Sequence, residues 1–262
     1  DPNGQPVTRL AKVDRKPSQS IYTTIDSDLQ IEAQKALAGF NGGLVVIERD
    51  TGRVLAMVSS PGFDPNAFEF RNYNSGPLLG QILGDSLNRE YNRAAGNGYP
   101  LGSVFKVITM AAALESGVFT PESTYECGHF YTELPGWTLE DWTYAKDVNP
   151  SGNLTLPEAL MRSCNPWFYY LAFALYNQNR IKDISDMARA FGLGSPTGIE
   201  GIEEQAGNIP DPNEIGMAVQ MAIGQSEILV NPLQVARFMA AIGNGGTLYK
   251  PQLIEKVVDP DN

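Results

Sequence analysis

The apolar positions of the chain change period along its length, and the changes mark its elements. Leu29, Ala33, Ala36 and Leu37 recur at helical spacing, with Asp26 or Ser27 as a cap and Gly39 as a stop, which predicts a helix over about 23–38. Residues 43–50 and 54–59 read as two strands joined by the turn Asp50-Thr51-Gly52-Arg53. The first strand is apolar on both faces, as in the middle of a covered sheet. From Pro61 to Pro100 the text is rich in Gly, Pro, Asn and Tyr and reads as one long connection. A strongly apolar helix is predicted over 102–116, ended by Gly117. A loop-rich, aromatic stretch follows over 118–153. Further helices are predicted over 156–163 with Pro157 in the first turn, 165–176, 181–191, 216–223 and 232–242, before an extended segment over 247–258.

A helix, a hairpin and then a long, mostly helical stretch imply a sheet layer with a helical subdomain at about 61–215, a mixed α+β arrangement. Residues 21–262 are expected to form this unit. Residues 1–20, polar and holding Pro2, Pro6 and Pro17, read as a leader or the end of a preceding domain. The chain opens on Asp1-Pro2-Asn3-Gly4 without Met or a signal pattern, as a processed or partial product would.

Composition removes several functions. With 42% hydrophobic residues the chain can build a core and is not a disordered tail. A net charge of −11 gives no electrostatic reason to bind nucleic acid or an anionic membrane surface. The densest apolar run, Val107 to Leu114, falls short of the roughly 18–20 residues of a membrane span. Two cysteines, Cys127 and Cys164, are too few for a disulfide framework and form no zinc pattern, and Cys164 reads as a small buried filler. The sole histidine, His129, sits in a loop with no nucleophile elbow nearby, so a Ser-His-Asp mechanism has little to work with.

The sharpest local signal is Pro100-Leu101-Gly102-Ser103-Val104-Phe105-Lys106. It places Ser103 in the first turn of an apolar helix with Lys106 one turn on, on the same face. A serine needs a base, and a lysine serves only if desolvation or a nearby cation lowers its pKa. The bland alternative is a snorkelling lysine on an ordinary helix. Arg162-Ser163-Cys164-Asn165-Pro166 follows, with Ser163 60 residues beyond Ser103. Ser163 could relay a proton, and Asn165 could donate to a carbonyl and orient the lysine; the bland alternative is a helix cap followed by proline.

Taken together, Ser103-x-x-Lys106 and Ser163-x-Asn165 resemble the first two motifs of the penicillin-binding proteins, whose third is Lys-Thr-Gly. Other segments are similar as well: Thr23-Thr24-Ile25-Asp26 to Gln30, the hairpin 43–61, Phe63-Asp64-Pro65-Asn66, Asn92-Arg93-Ala94, Phe191 to Gly194, Thr197-Gly198-Ile199, Ala222 to Gln225 and Asn231 to Gln234. The resemblance runs from about residue 21 to 258 and is greatest to the class B, monofunctional group, with no glycosyltransferase region.

This resemblance implies a penicillin-binding-protein/β-lactamase-like α+β fold, with an antiparallel sheet covered by helices. It implies a serine D,D-transpeptidase that needs no metal or organic cofactor. Ser103 would attack the D-Ala-D-Ala carbonyl of a peptidoglycan stem peptide, with Lys106 as base, Ser163 as relay and Asn165 as orienting group. A neighbouring stem's amine would then close the cross-link. The implied partners are stem peptides, β-lactam antibiotics and other proteins of cell-wall synthesis in elongation or division. The implied location is the outer side of the cytoplasmic membrane, held by an N-terminal anchor. Trp137, Trp142 and Tyr144 either line the cleft or pack its roof; Trp142 and Tyr144 are carried as candidate substrate contacts.

Two departures accompany the resemblance. No Lys-Thr-Gly or Lys-Ser-Gly occurs, so the sheet is expected to lack its last strands in this sequence. Gln225-Ser226 stands where the family commonly has Gln-Gly. Two alternatives stay open: a β-lactam hydrolase, although no Glu-x-x-Leu-Asn element follows Ser163, and a non-catalytic relative that senses or scaffolds.

Overall fold

A computed structural model describes residues 18–69, 71–96 and 98–259. The predicted leader lies mostly outside these residues. Strand β1 (Ser20–Thr23) precedes helix α1 (Ser27–Ala36), and the hairpin β2 (Gly42–Ile47) and β3 (Val54–Ser60) follows. The first helix therefore starts four residues later than its apolar spacing suggests. Asp26 caps it by accepting from Leu29 N at 2.9 Å, while Thr23 pairs across β1 with Ile254. The next residue, Thr24, is buried, and its hydroxyl donates to the carbonyls of Val54 and Gln252. Residues 20–24 are thus stitched to the far end of the sequence, a constraint that local periodicity does not carry.

The long connection holds a helix of its own, α2 (Ser75–Leu83), after a 3-10 turn at Pro65–Phe68. Gly76, Pro77 and Gly80 lie in or beside its first turns and weaken its signal in sequence, because these residues are poor helix formers. A second 3-10 turn, Gly102–Phe105, runs directly into α3 (Lys106–Glu115). The aromatic stretch resolves into β4 (Thr124–Cys127), β5 (Phe130–Tyr131), β6 (Leu139–Glu140), α4 (Trp142–Ala145) and β7 (Gly152–Thr155). Helices α5 (Leu156–Arg162), α6 (Asn165–Asn177), α7 (Asp183–Ala190), α8 (Ile215–Met221) and α9 (Pro232–Gly243) lead to the final strand β8 (Ile254–Val258).

Among the described residues the strands form antiparallel pairs: β1 with β8, β2 with β3, β4 with β7, and β5 with β6. The fold is the α+β mixture expected, with small antiparallel sheets and helices. Alternate residues of β3 are buried, and Ala56 and Val58 pack against Ala33 of α1. Val54, on the same strand, packs with Ala95, Ile199 and Leu233 of α9.

The main core lies in the helical part. Phe105, Ile108 and Ala112 from the α3 region meet Trp167, Phe168, Leu171 and Leu175 of α6 and Val219 and Met221 of α8. This packing fixes the start of α3 and the start of α6 side by side. Both sequence motifs lie at those two helix starts.

Candidate active site

Ser103 is exposed in the 3-10 turn before α3, whereas Lys106, three residues on, is fully buried. The first turn of a helix leaves N–H groups without intrahelical acceptors and carries the positive end of the dipole, which favours an oxyanion formed there. The turn depends on close backbone approach. Gly102 has φ +58°, its N–H donates to Gly224 O at 2.9 Å, and a Cβ built on Gly224 would lie 2.1 Å from Gly102 O. Thr109 Oγ1 donates to Ala222 O at 2.8 Å, a second tie between α3 and the turn after α8.

Ser163 ends α5 in the left-handed region, at φ 53° and ψ 37°, so the chain reverses sharply before α6 begins at Asn165. This turn carries Ser163 and Asn165 onto Lys106. Lys106 Nζ donates to Ser163 O at 2.8 Å, Ser163 Oγ at 3.1 Å and Asn165 Oδ1 at 2.6 Å. Ser163 Oγ donates in turn to Ser103 Oγ at 3.0 Å. The hydrogen-bonded route from Lys106 to the nucleophile therefore runs through Ser163. Burial lowers the Lys106 pKa to about 8, with the charge of Asp141 opposing the shift. At pH 7 Lys106 is therefore mostly charged, with about a tenth in the uncharged form that a base requires.

The four motif residues come together as the sequence suggests, and the structure adds two features. Cys164 is not a lone filler: although buried, it forms a disulfide with Cys127 at the end of β4, closing a separation of 37 residues. Two cysteines make no framework, but this single bridge anchors the middle residue of Ser163-x-Asn165. Asp141, only 1% exposed, is the other addition: its Oδ1 accepts from Asn165 N at 2.8 Å. Asp141 lies inside the stretch read as loop over 118–153, where it also caps α4 by accepting from Thr143 N.

The aromatic candidates sit at the margin. Trp142 Nε1 donates to Arg162 O at 3.2 Å, one residue before Ser163, with the ring partly exposed. Tyr144 packs on Phe130 at 4.7 Å and His129 at 5.8 Å between ring centroids. Trp137 is half exposed beside Gly216 of α8. His129 bonds Val148 O at 3.0 Å and remains a loop histidine. A cavity of about 650 Å³ lies between α1 and α2, lined by residues such as Gln34, Phe63, Leu78 and Arg89, away from the motif residues.

Several known proteins are similar to this chain in sequence and fold. The family model for the penicillin binding protein transpeptidase domain matches residues 42–262. The peptidoglycan D,D-transpeptidase PbpA of Mycobacterium tuberculosis is 37% identical over 225 residues, covering 84% of this chain and 44% of that protein. The peptidoglycan D,D-transpeptidase MrdA of Escherichia coli is 30% identical over 266 residues, covering 96% of this chain and 40% of its relative. The chain thus spans less than half the length of these two relatives. Among solved structures, the penicillin G acyl-enzyme complex of penicillin-binding protein A from M. tuberculosis superposes with a TM-score of 0.81 at 30% identity, over 93% of this chain and 56% of that one. Together with the serine–serine–lysine geometry, these matches show that the chain belongs to the penicillin-binding protein transpeptidase family.

Proposed function

We propose that this chain carries the acyl-transfer centre of a peptidoglycan D,D-transpeptidase. The observation that carries the reading is the hydrogen-bonded path Ser103–Ser163–Lys106, ending on a buried lysine whose pKa burial brings down to about 8. With Lys106 uncharged, the hydrogen bonds along this path reverse. Ser103 Oγ attacks the carbonyl of the penultimate D-alanine while its proton passes to Ser163, whose own proton passes to Lys106. Collapse of the tetrahedral intermediate breaks the D-Ala-D-Ala amide bond, and the leaving amine takes a proton back along the path. The acyl-serine is then resolved by the amine of a second stem peptide: Lys106 takes the amine's surplus proton and, as the acyl–Oγ bond breaks, a proton passes through Ser163 to Ser103, restoring the hydroxyl and the uncharged lysine. A β-lactam follows the first half of this course and stays on Ser103.

Asn165 holds the lysine in register and has amide hydrogens to offer a substrate carbonyl. Trp142, bonded to Arg162 O beside the Ser163 turn, and the exposed Tyr144 two residues on are assigned to the substrate rim. A hydrolase would need a carboxylate ready to activate water. The carboxylate next to the centre, Asp141, instead accepts from Asn165 N, Thr143 N and Thr143 Oγ1. The peptidoglycan substrate places the work outside the cytoplasmic membrane, alongside other cell-wall synthesis proteins.

The test is labelling of the full-length protein with a fluorescent penicillin. Persistent label that vanishes in Ser103→Ala supports the transpeptidase, and rapid loss of label with turnover of the drug supports the hydrolase. A folded full-length protein that takes no label, indistinguishable from Ser103→Ala, overturns the acyl-transfer reading in favour of a non-catalytic relative.

A further inference from the structure

Asp141 is a buried carboxylate that the motifs of the sequence leave out. Its Oδ1 accepts from Asn165 N at 2.8 Å, and its Oδ2 accepts from Thr143 N at 3.1 Å and Thr143 Oγ1 at 2.6 Å. Its own N–H donates to His129 O at 2.8 Å, which sets the residue between the β5–β6 pair and α4. The bond to Asn165 N satisfies a donor of the first turn of α6, where a negative charge is favoured by the helix dipole. Cys164 Sγ satisfies another, Trp167 N at 3.3 Å. The turn that presents Ser163 and Asn165 to Lys106 is therefore held from both sides.

We propose that Asp141 is a positioning residue for acyl transfer: its carboxylate fixes the backbone of Asn165 and sets a negative charge near Lys106. The proposal rests on the reading of Ser103 and Lys106 given above. Two functions meet in this one group. Held by three donors, the carboxylate locks the asparagine that orients the lysine. Its charge limits how far burial can discharge Lys106, since the two act on the lysine in opposite directions. A lysine whose pKa fell further would be a weaker proton acceptor, so the opposing charge preserves its basicity.

Few other ionisable groups share this environment. Tyr169 of α6 is buried and feels Asp141, its hydroxyl pushed up to about 12 mainly by burial. The Cys127 and Cys164 sulfurs lie within 4.8 Å of the carboxylate but are joined and do not titrate. On the helices packed against α3, Glu158 of α5 is taken up in the capping box with Thr155, and Arg162 points to Ser151. On α7, Asp183 pairs with Arg180, and Asp186 pairs with Arg189.

The experiment measures the rate of β-lactam acylation of the full-length protein from pH 6 to 10. Asp141→Asn keeps an acceptor for Asn165 N and removes the charge; the rising limb assigned to Lys106 must move to lower pH by at least about 0.5 unit. Thr143→Val keeps the charge and removes a donor to the carboxylate; acylation must slow by about 3-fold or more, with the limb in place, while Thr143→Ser restores the wild-type rate. A limb for Asp141→Asn that coincides with wild type overturns the proposal. A wild-type rate in Thr143→Val does so too, and remains decisive even if Asp141→Asn does not fold. A wild type that takes no label on Ser103 overturns the acyl-transfer reading instead.

Discussion

Asn165 Oδ1 lies 2.6 Å from Lys106 Nζ, the shortest of the three hydrogen bonds that hold the buried lysine. The asparagine is the first residue of α6 and the lysine the first of α3, so the contact ties the starts of the two helices on which the centre is built.

Asn165→Ala removes that acceptor and leaves Lys106 to Ser163 alone. A hydrogen bond to a charged group contributes about 1.5–3 kcal/mol, so acylation should slow by roughly 10- to 150-fold if the bond persists into the transition state. The helix should survive, because its start is still held by Cys164 and Asp141. Stopped-flow labelling with a fluorescent penicillin reads the rate and circular dichroism reads the fold. An unchanged rate would show that Asn165 does not orient the base.

Lys106 is charged at neutral pH at the expense of the fold. Its folded pKa of about 8 lies below the ordinary value of 10.5, so between these limits the unfolded chain binds more protons and stability rises with pH. Below pH 8 the charged, buried amine costs the folded state on the order of 3 kcal/mol. Lys106→Met keeps the length of the side chain without the charge. It should abolish acylation yet resist denaturant better than wild type at pH 7, with the advantage shrinking towards pH 10. Denaturation at both pH values checks this, and an advantage that grows with pH contradicts it.

The four motif residues were legible in the sequence because each pair is local: Ser103 and Lys106 share one helical turn, and Ser163 and Asn165 share one reversal. What joins the two pairs was not. Asp141 meets Asn165 across 24 residues, and Cys127 meets Cys164 only because β4 pairs with β7, which leads into α5. Strand β1 was hidden for the same reason, since its partner β8 is at the other end of the chain. Helix α2 was hidden differently: Gly76, Pro77 and Gly80 suppress its intrinsic signal, and partners such as Phe63 and Ala67 come from the preceding turn.

The Cys127–Cys164 disulfide should support both stability and rate. In the chain-entropy view, a loop of this size gives about 3–4 kcal/mol. Because Cys164 stands between Ser163 and Asn165, loss of the bridge also frees the turn that carries the relay. Cys127→Ala with Cys164→Ala should unfold at lower denaturant and acylate more slowly than the oxidised wild type. Reductant should bring the wild type towards the double variant and leave the double variant unmoved. Equal stability of the reduced and oxidised wild type would remove the bridge from this role.

The turn after α8 offers a prediction of each sign. Ser226 holds φ +68°, a left-handed backbone that L side chains occupy at a cost of about 1 kcal/mol. Ser226→Gly relieves it and should stabilise the fold by up to about 1 kcal/mol, less what glycine adds to the freedom of the unfolded chain. Gly224, two residues earlier, has no such room: it holds φ +72°, and its added Cβ would lie 2.1 Å from Gly102 O and 2.7 Å from Phe105 Cβ. Gly224→Ala must therefore push the turn off the nucleophile segment and break the bond from Gly102 N. Labelling of Ser103 should fall by at least about 10-fold, the consequence of moving a reacting atom by a fraction of an ångström to one ångström. Thermal denaturation and penicillin labelling of the two variants side by side check both signs. If Gly224→Ala labels like wild type, the contact between this turn and Gly102 does not position the nucleophile.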